Sequence, residues 1–324
     1  MVASPRTGRP LTQLHSIEDK QIAGRAATVL ASARVRATIV PDLGMLCSSL
    51  TLDGEEMLGH PYGVDAYVER GKLTGIPLMH PWANRLSGTR LHGAATDTID
   101  ATSPLIHVDG NGLPIHGLRL IDAGWEVTDR VSTDTSASIS ARLNLSRGPL
   151  LDAFPFPHGI SVTVTLSDES LAIATTLTPT GAVSVPIAFG WHPYFRIPGV
   201  PRSLWHIEMP VRRRALLDDR GLPTGLEEAT SVAPGALGAT TYDDLFTGLP
   251  DDPVFALAGG GWRTEVAFGP GYPMAQVYAP LTHDVIALEP MTAPTNAVVS
   301  GDRLRHVLPG ESFSATFGIR VSRS

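Results

Sequence analysis

The sequence contains a single cysteine, Cys47, so no disulfide bond can form within its 324 residues. Charged residues are also scarce, at 18%, the net charge is −7, and the longest basic run is Arg212-Arg213-Arg214. Nucleic-acid-binding proteins present basic surfaces, so we expect no nucleic-acid partner. No stretch approaches about 18 uninterrupted apolar residues, and the N-terminal stretch lacks the apolar core of a secretory signal. These absences predict a cytoplasmic protein with no membrane partner.

The motifs that hold common metals and cofactors are also missing. The 11 histidines form no HExxH motif and no closely spaced pair suited to zinc, and no paired CxxC is present. The sequence has neither the GxSxG turn of many serine hydrolases nor the glycine-rich loops that cradle nucleotides. We therefore expect no metal and no cofactor.

The residues that are present predict an all-β fold. Apolar and polar side chains alternate in residues 160–177, interrupted by a turn at 167–170, and again in 137–145 and 313–321. This period of two is typical of strands with one buried face, and the first segment is interpreted as a hairpin. Gly or Pro interrupts nearly every segment with helical spacing. Many short strands separated by turns predict sheets stacked in a large β-sandwich.

The chain offers no clear domain boundary. It shows no internal repeat and no Ser/Gly-rich linker, and its length alone leaves the number of domains open. Residues 1–12 are predicted to form a flexible N-terminal arm. The Pro- and Gly-rich stretches 198–202 and 221–238 predict long loops over a sheet, with a domain boundary there as the alternative.

Two short segments combine polar side chains with a stiff or unusual backbone. In GIPLMHPWANRL, residues 75–86, prolines precede Asn84 and Arg85. The guanidinium of arginine suits two adjacent oxygens, although Arg85 alone would equally suit a structural ion pair. In LPIHGL, residues 113–118, His116 is followed by Gly117, whose backbone can approach a ligand closely or adopt a positive φ.

A third segment, FGWHPYFRIPG, places His192 between Trp191 and Tyr194. Histidine is the usual proton carrier at neutral pH, and aromatic faces suit either a sugar ring or a protein core. The segment therefore indicates a candidate acid or base, with a structural core histidine as the alternative.

Two further segments carry carboxylates. In IALEPM, Glu289 ends an apolar strand that Pro290 breaks at once, and a buried carboxylate is costly unless it is paired or functional. In TYDDLF, Asp243 and Asp244 lie between aromatic residues, where turn capping is the alternative explanation.

Taken in order, these motifs resemble those of the aldose 1-epimerase (galactose mutarotase) family. The series is NRL with Arg85, HG with His116, WHPYF with His192, YDDLF with Asp243 and LEP with Glu289. The resemblance extends from about residue 33 to the PGESF turn near the C-terminus. It implies a single domain over residues 13–324, a β-sandwich of the galactose mutarotase-like (supersandwich) type with an open cleft on a concave sheet.

The resemblance also implies the roles of the motif residues. Glu289 would be the general base and His192 the general acid, and the site would need no cofactor. The residues expected to bind sugar hydroxyls or to line the site are Arg85, His116, Asp243, Asn84, Trp191 and Tyr194. With ordinary pKa values, Glu289 would be ionised at neutral pH, and a carboxylate such as Asp243 would help His192 to hold its proton. We further expect Asp243, and not Asp244, to face the sugar.

The implied activity is that of a carbohydrate isomerase that interconverts the α and β anomers of a free aldohexose. The only expected partner is a small-molecule sugar, with the chain as a monomer or homodimer. The Gly75-Ile76-Pro77 element resembles the hexose-6-phosphate epimerase branch, in which Arg119 would face a phosphate. A hexose-6-phosphate 1-epimerase, a non-catalytic sugar-binding sandwich, and a lyase or hydrolase on the same architecture are therefore the alternatives.

Overall fold

The computed structural model describes residues 14–94 and 98–324. Most of the regular secondary structure in these residues is β-strand, which confirms the all-β prediction. The predicted N-terminal arm, residues 1–12, lies outside the described residues. Within the described part there are three short helices and one 3-10 turn: α1 Gly63–Arg70, α2 Gly148–Ala153, α3 Ala297–Ser300 and the turn Arg202–Leu204. No helix in this part is long and apolar enough to cross a membrane.

The strands are numbered in chain order. The first thirteen are β1 Ser16–Ile22, β2 Arg25–Ala31, β3 Val35–Val40, β4 Leu46–Leu52, β5 Glu55–Glu56, β6 Leu78–Met79, β7 Ile106–Val108, β8 Pro114–Leu118, β9 Glu126–Ser132, β10 Ala137–Asn144, β11 His158–Ser167, β12 Ser170–Pro179 and β13 Val185–Ile187. The remainder are β14 Gly190–Trp191, β15 Tyr194–Phe195, β16 His206–Met209, β17 Arg213–Leu217, β18 Pro223–Ala229, β19 Val232–Ala236, β20 Tyr242–Gly248, β21 Val254–Gly259, β22 Trp262–Phe268, β23 Met274–Ala279, β24 Ile286–Met291, β25 Arg305–Val307 and β26 Phe313–Arg323.

Three sheets form the body of the protein. A nine-stranded sheet has the order β19-β16-β21-β22-β26-β12-β11-β10-β9, and an eight-stranded sheet has the order β18-β17-β20-β23-β24-β14-β6, with β15 also paired to β24. Strands β1 to β5 form a third sheet in sequence order. The predicted hairpin is β11 and β12, in which Ser167 pairs with Ser170 across the turn. The other two predicted strands are β10 and β26.

The main core lies between the nine-stranded and eight-stranded sheets. Alternation decides which side chains enter it: Val277 of β23 and Leu288 of β24 are buried there. Each such side chain stabilises the fold by roughly 1.5–3 kcal/mol relative to an exposed position. By the same period of two, Gln276, Tyr278 and Glu289 project from the opposite face of the eight-stranded sheet. That face carries the candidate site.

The prediction of a long loop over residues 221–238 was wrong, because β18 and β19 occupy most of it. These strands form one end of the eight-stranded sheet and one end of the nine-stranded sheet, respectively. An edge strand tolerates Gly and Pro because only one side of its backbone must pair. The stretch 198–202 is irregular, as predicted, and it leads into the 3-10 turn.

Candidate active site

Sheet pairing brings His192 and Glu289 together. Glu289 lies on β24, and His192 lies between β14 and β15, both of which pair with that strand. The Nε2 atom of His192 is 3.1 Å from Oε1 of Glu289. Only 4% of His192 and 1% of Glu289 are exposed. The two residues predicted to be catalytic are therefore neighbours, and both are almost fully buried.

Burial controls the charge of this pair. It raises the pKa of Glu289 well above the usual range, with a further increase from Asp243 and an opposing effect of Arg85. Burial also lowers the pKa of His192 to about 3. The expectation of an ionised Glu289 beside a protonated His192 is thus corrected for the unliganded protein, because desolvation disfavours both charges. The carboxylate in contact with His192 is Glu289 itself, and not Asp243.

Arg85 lies between two carboxylates. Its Nε donates a hydrogen bond to Oδ2 of Asp109 at 2.9 Å, and its Nη2 is 3.6 Å from Oδ2 of Asp243. A further hydrogen bond of 3.2 Å runs from Nη1 to Oδ1 of Asn84, which is itself buried. Arg85 therefore makes the structural ion pair considered above with Asp109 and also reaches the carboxylate expected to bind sugar.

Strand register places Asp243 on the same face as Glu289. Asp243 of β20 lies opposite Tyr278 of β23, and Gln276 of β23 lies opposite Glu289 of β24. Nε2 of Gln276 donates a hydrogen bond of 2.7 Å to Oδ1 of Asp243. The neighbouring residue, Asp244, points to the other face and accepts a hydrogen bond of 3.0 Å from Arg214.

His116 is held beside His192 by an unusual backbone. Both His116 and Gly117 have positive φ angles, of 63° and 75°. A Cβ atom on Gly117 would lie 2.2 Å from the carbonyl oxygen of His80, so the glycine permits close packing on His80 and not on a ligand. The rings of His116 and His192 meet edge to face, with centroids 5.3 Å apart. Burial, helped by His192 and Arg85, lowers the pKa of His116 well below its usual value, so this imidazole is neutral.

The two aromatic candidates point in different directions. Tyr194 stacks on His192 with ring centroids 4.3 Å apart and forms a wall of the site. Trp191 is fully buried in the main core, where its Nε1 donates a hydrogen bond of 3.0 Å to Oγ1 of Thr175 on β12. The expectation that Trp191 lines the site is therefore wrong. Its side chain fills the space between the sheets.

Three residues of this site escaped the sequence analysis, namely Gln276, Asp109 and Tyr278. A weak signal existed for two of them, because Gln276 and Tyr278 lie two residues apart in the otherwise apolar strand MAQVYA and so share a face. Asp109 lies in a loop and had no comparable signal.

Several buried polar atoms around the site have no hydrogen-bond partner among the described residues. They are Oε2 of Glu289, Oε1 of Gln276, Nδ1 of His192 and Nδ1 of His116. Buried polar groups are normally paired because an unpaired one is costly. Acceptors and imidazole nitrogens at one place suit a ligand with several hydroxyl groups. No group of three metal-ligating side chains occurs within residues 14–94 and 98–324.

Comparison with known proteins agrees with this architecture. The family model for aldose 1-epimerase matches residues 30–320, so the chain belongs to that family. A galactose mutarotase-like protein from Clostridium acetobutylicum superposes with a TM-score of 0.83 at 19% identity, covering 96% of this chain and 99% of its own. Galactose 1-epimerase from Lactobacillus acidophilus superposes with a TM-score of 0.74 at 14% identity, over 96% and 99% of the two chains. The fold is therefore the predicted galactose mutarotase-like β-sandwich.

One curated relative is also similar in sequence. The uncharacterized protein YihR of Escherichia coli is 24% identical over 262 residues, which span 76% of this chain and 81% of the relative.

Proposed function

We propose that this protein is an aldose 1-epimerase that interconverts the anomers of a free aldohexose, with Glu289 as base and His192 as acid. The observation that carries this proposal is the 3.1 Å separation of His192 Nε2 and Glu289 Oε1. Mutarotation requires one proton acceptor at O1 and one proton donor at the ring oxygen O5. Both oxygens are bonded to the same carbon, C1, so the two groups must lie side by side.

The proton balance of the reaction fits this pair. Glu289 takes the proton of the O1 hydroxyl while His192 protonates O5; the C1–O5 bond breaks and a C1=O1 double bond forms. After rotation about C1–C2 the reverse transfers close the ring on the other face of the aldehyde. Glu289 gains one proton as His192 gives one up, so the pair holds one transferable proton throughout. It gains no net proton over the cycle. Such general acid–base catalysis contributes about 10²- to 10⁴-fold per group.

The protonation state of the Glu289–His192 pair that reacts with the cyclic sugar differs from the state that burial favours in the absence of sugar. The reactive form is a Glu289 carboxylate beside a His192 imidazolium, and it arises when one proton moves between them. Arg85 favours that transfer because its charge lowers the pKa of Glu289. Sugar hydroxyls would assist it by donating hydrogen bonds to Oε2 of Glu289, which has no partner among the described residues.

The surrounding polar groups are suited to hold the remaining hydroxyls. Arg85 and the Gln276 amide both reach Asp243 and together offer donors and acceptors at one place. A neutral His116 both donates and accepts a hydrogen bond. Tyr194 covers one side of His192, so a sugar ring approaches the pair from a defined direction.

A hexose-6-phosphate is the second candidate substrate, because one basic cluster adjoins the site. Arg70, His107 and Arg119 line a cavity of about 80 Å³ that shares His116 with the site. Burial lowers the pKa of His107, and the charges of Lys72 and Arg119 add to this effect. However, Arg119 already donates a hydrogen bond to the carbonyl of Val68. We therefore favour the neutral hexose.

Polarimetry of freshly dissolved α-D-glucose, α-D-galactose and their 6-phosphates tests this proposal. An epimerase accelerates the approach to the equilibrium rotation, and the preferred substrate has the highest kcat/KM. If no sugar reacts faster with the protein than without it, while calorimetry detects sugar binding, the non-catalytic sugar-binding sandwich is correct.

A further inference from the structure

Three tyrosines lead from the catalytic pair towards the surface. Tyr194 is stacked on His192 and is 6% exposed. Tyr278 is half-buried, and its ring centroid is 6.4 Å from that of His192. Tyr62 is 48% exposed. Tyr194 and Tyr278 thus form an aromatic wall beside His192, and exposure increases from Tyr194 through Tyr278 to Tyr62.

The backbone around Tyr62 is tied to the same wall. The N–H of Gly59 donates a hydrogen bond of 2.8 Å to the carbonyl of Tyr194, and a Cβ on Gly59 would lie 2.5 Å from the side chain of Val285. Val285 and Tyr194 belong to one small apolar cluster, against which Leu73 and Tyr278 also pack. Residues 59–62 thus start at the inner wall and end with Tyr62 at the surface.

The ring of Tyr62 is held by the two segments that border this cluster. Lys72 precedes Leu73 and places its Nζ 5.8 Å from the ring centroid of Tyr62. His283, two residues before Val285, meets the same ring edge to face at 5.0 Å. A single exposed aromatic residue is ordinary on a protein surface. The ring of Tyr62, however, is contacted by both Lys72 and His283, while nearly half of the residue remains exposed.

Electrostatic effects agree with this placement. Burial raises the pKa of Tyr278, and Tyr62 and Asp243 add to the rise. Burial likewise raises the pKa of Tyr194, with further increases from Glu289, Tyr278 and Tyr62. Tyr62 is thus close enough to Tyr194 and Tyr278 to influence both hydroxyls.

We propose that Tyr62, with Lys72 and His283, forms an outer subsite that stacks on the second ring of a reducing disaccharide. This inference rests on the proposed epimerase function, with the reducing-end hexose at Glu289 and His192. A glycosyl substituent on that hexose would extend along the tyrosine wall to Tyr62. Aromatic faces pack on the apolar faces of sugar rings, while Lys72 and His283 supply hydrogen-bond donors. A ring already held in place loses little conformational entropy on binding.

Polarimetry with freshly dissolved α-lactose and β-maltose, beside α-D-glucose, tests the subsite. We expect Tyr62→Ala to raise KM for a disaccharide about 3- to 10-fold, the range that one aromatic contact supplies, and to leave kcat and KM for glucose unchanged. Tyr62→Phe keeps the ring and should resemble the parent. Leu308→Ala, at another exposed apolar residue, is the matched control. Thermal melting verifies that each variant is folded.

The outcomes separate this subsite from the proposed function. An unchanged disaccharide KM in Tyr62→Ala, or an equal rise for glucose and disaccharide, overturns the subsite while the epimerase assignment stands. If the parent accelerates mutarotation of no sugar, the proposed function fails. In that case calorimetric titration of parent and Tyr62→Ala with lactose and maltose still decides: a 3- to 10-fold weaker binding supports the subsite, and equal affinity or no binding by the parent refutes it.

Discussion

His192 Nε2 lies 3.1 Å from Glu289 Oε1, and burial disfavours a charge on either side chain. Two groups of this kind titrate as a unit, so a proton belongs to the pair and not to one residue. The proposed general acid and base therefore share a single proton.

Replacing the proposed base, Glu289, should remove catalysis and leave the fold intact. Glu289→Gln keeps the size and shape of the side chain but cannot accept the O1 proton. We expect the rate of mutarotation to fall by about 10²- to 10⁴-fold, with sugar binding retained. Polarimetry measures the rate, and calorimetry measures the binding. A folded Glu289→Gln protein that turns over near the parent rate would falsify the assignment.

Replacing the proposed acid, His192, should affect turnover more than binding. His192→Asn removes the proposed proton donor for O5 while leaving Glu289 in place. We expect kcat to fall by about 10²-fold or more with a smaller change in KM. The comparison is made by steady-state polarimetry at several sugar concentrations. If His192 only packs against Tyr194, the loss of kcat in His192→Asn should be no larger than the loss of folded protein. Thermal melting measures that loss.

The buried carboxyl of Glu289 should cost stability at neutral pH. Because its pKa is raised on folding, the unfolded chain loses this proton near pH 4.3 while the folded protein keeps it. Stability therefore falls as pH rises from about 4.3 towards the raised pKa. Glu289→Gln lacks this effect, so its melting temperature should exceed that of the parent at pH 7–8 but not at about pH 4. Melting curves across this range that remain parallel would contradict the pKa assignment.

Asp243 and Arg85 should shift the alkaline limb of the pH–rate profile in opposite directions. That limb reports loss of the last proton from the Glu289–His192 pair in the free protein. Asp243 raises the pKa of Glu289 and Arg85 lowers it, so the limb should move to lower pH in Asp243→Asn and to higher pH in Arg85→Gln.

The profile of kcat/KM against pH, corrected for the spontaneous reaction, measures both shifts. Asp243→Asn should also raise KM, whereas Asp244→Asn is the control because Asp244 bonds to Arg214 away from the site. A larger rise in KM for Asp244→Asn, or shifts of the same sign for Asp243→Asn and Arg85→Gln, would refute this arrangement.

Gly117 should be intolerant of any side chain. In Gly117→Ala the new Cβ would lie 2.2 Å from the carbonyl oxygen of His80, at a φ of 75°. Gly112→Ala is a matched control, since Gly112 has a φ of 73° with no atom within 4 Å of the added Cβ. Both variants should lose about 1–2 kcal/mol from the left-handed backbone, and only Gly117→Ala should lose more.

Activity provides a second measurement on the same pair of variants. Displacement of Gly117 moves His116, so kcat/KM should fall in Gly117→Ala and stay near the parent value in Gly112→Ala. Urea denaturation gives the free energy of unfolding, and polarimetry gives kcat/KM. Equal losses of stability in the two variants would show that the close packing on His80 is unimportant.

The amino-acid pattern determined the strands because alternation is a local property. The hairpin β11–β12 and the strands β10 and β26 follow from side chains that change face at every residue. The same alternation places Asp243 and Asp244 of β20 on opposite faces. The family motifs added Glu289 and His192 as neighbours, although those residues are far apart along the chain.

Other properties depended on the assembled sheets. Trp191 and His192 are adjacent in sequence, yet packing between the sheets directs the indole to Thr175 and the imidazole to Glu289. The sequence signal for Gln276 was weak, and strand pairing established it as a site residue by placing it opposite Glu289. Strands β18 and β19 form despite their Gly and Pro because each lies at a sheet edge. The protonation of Glu289 and His192 also follows from burial, which is a sum over residues distant in sequence and has no counterpart in a local pattern.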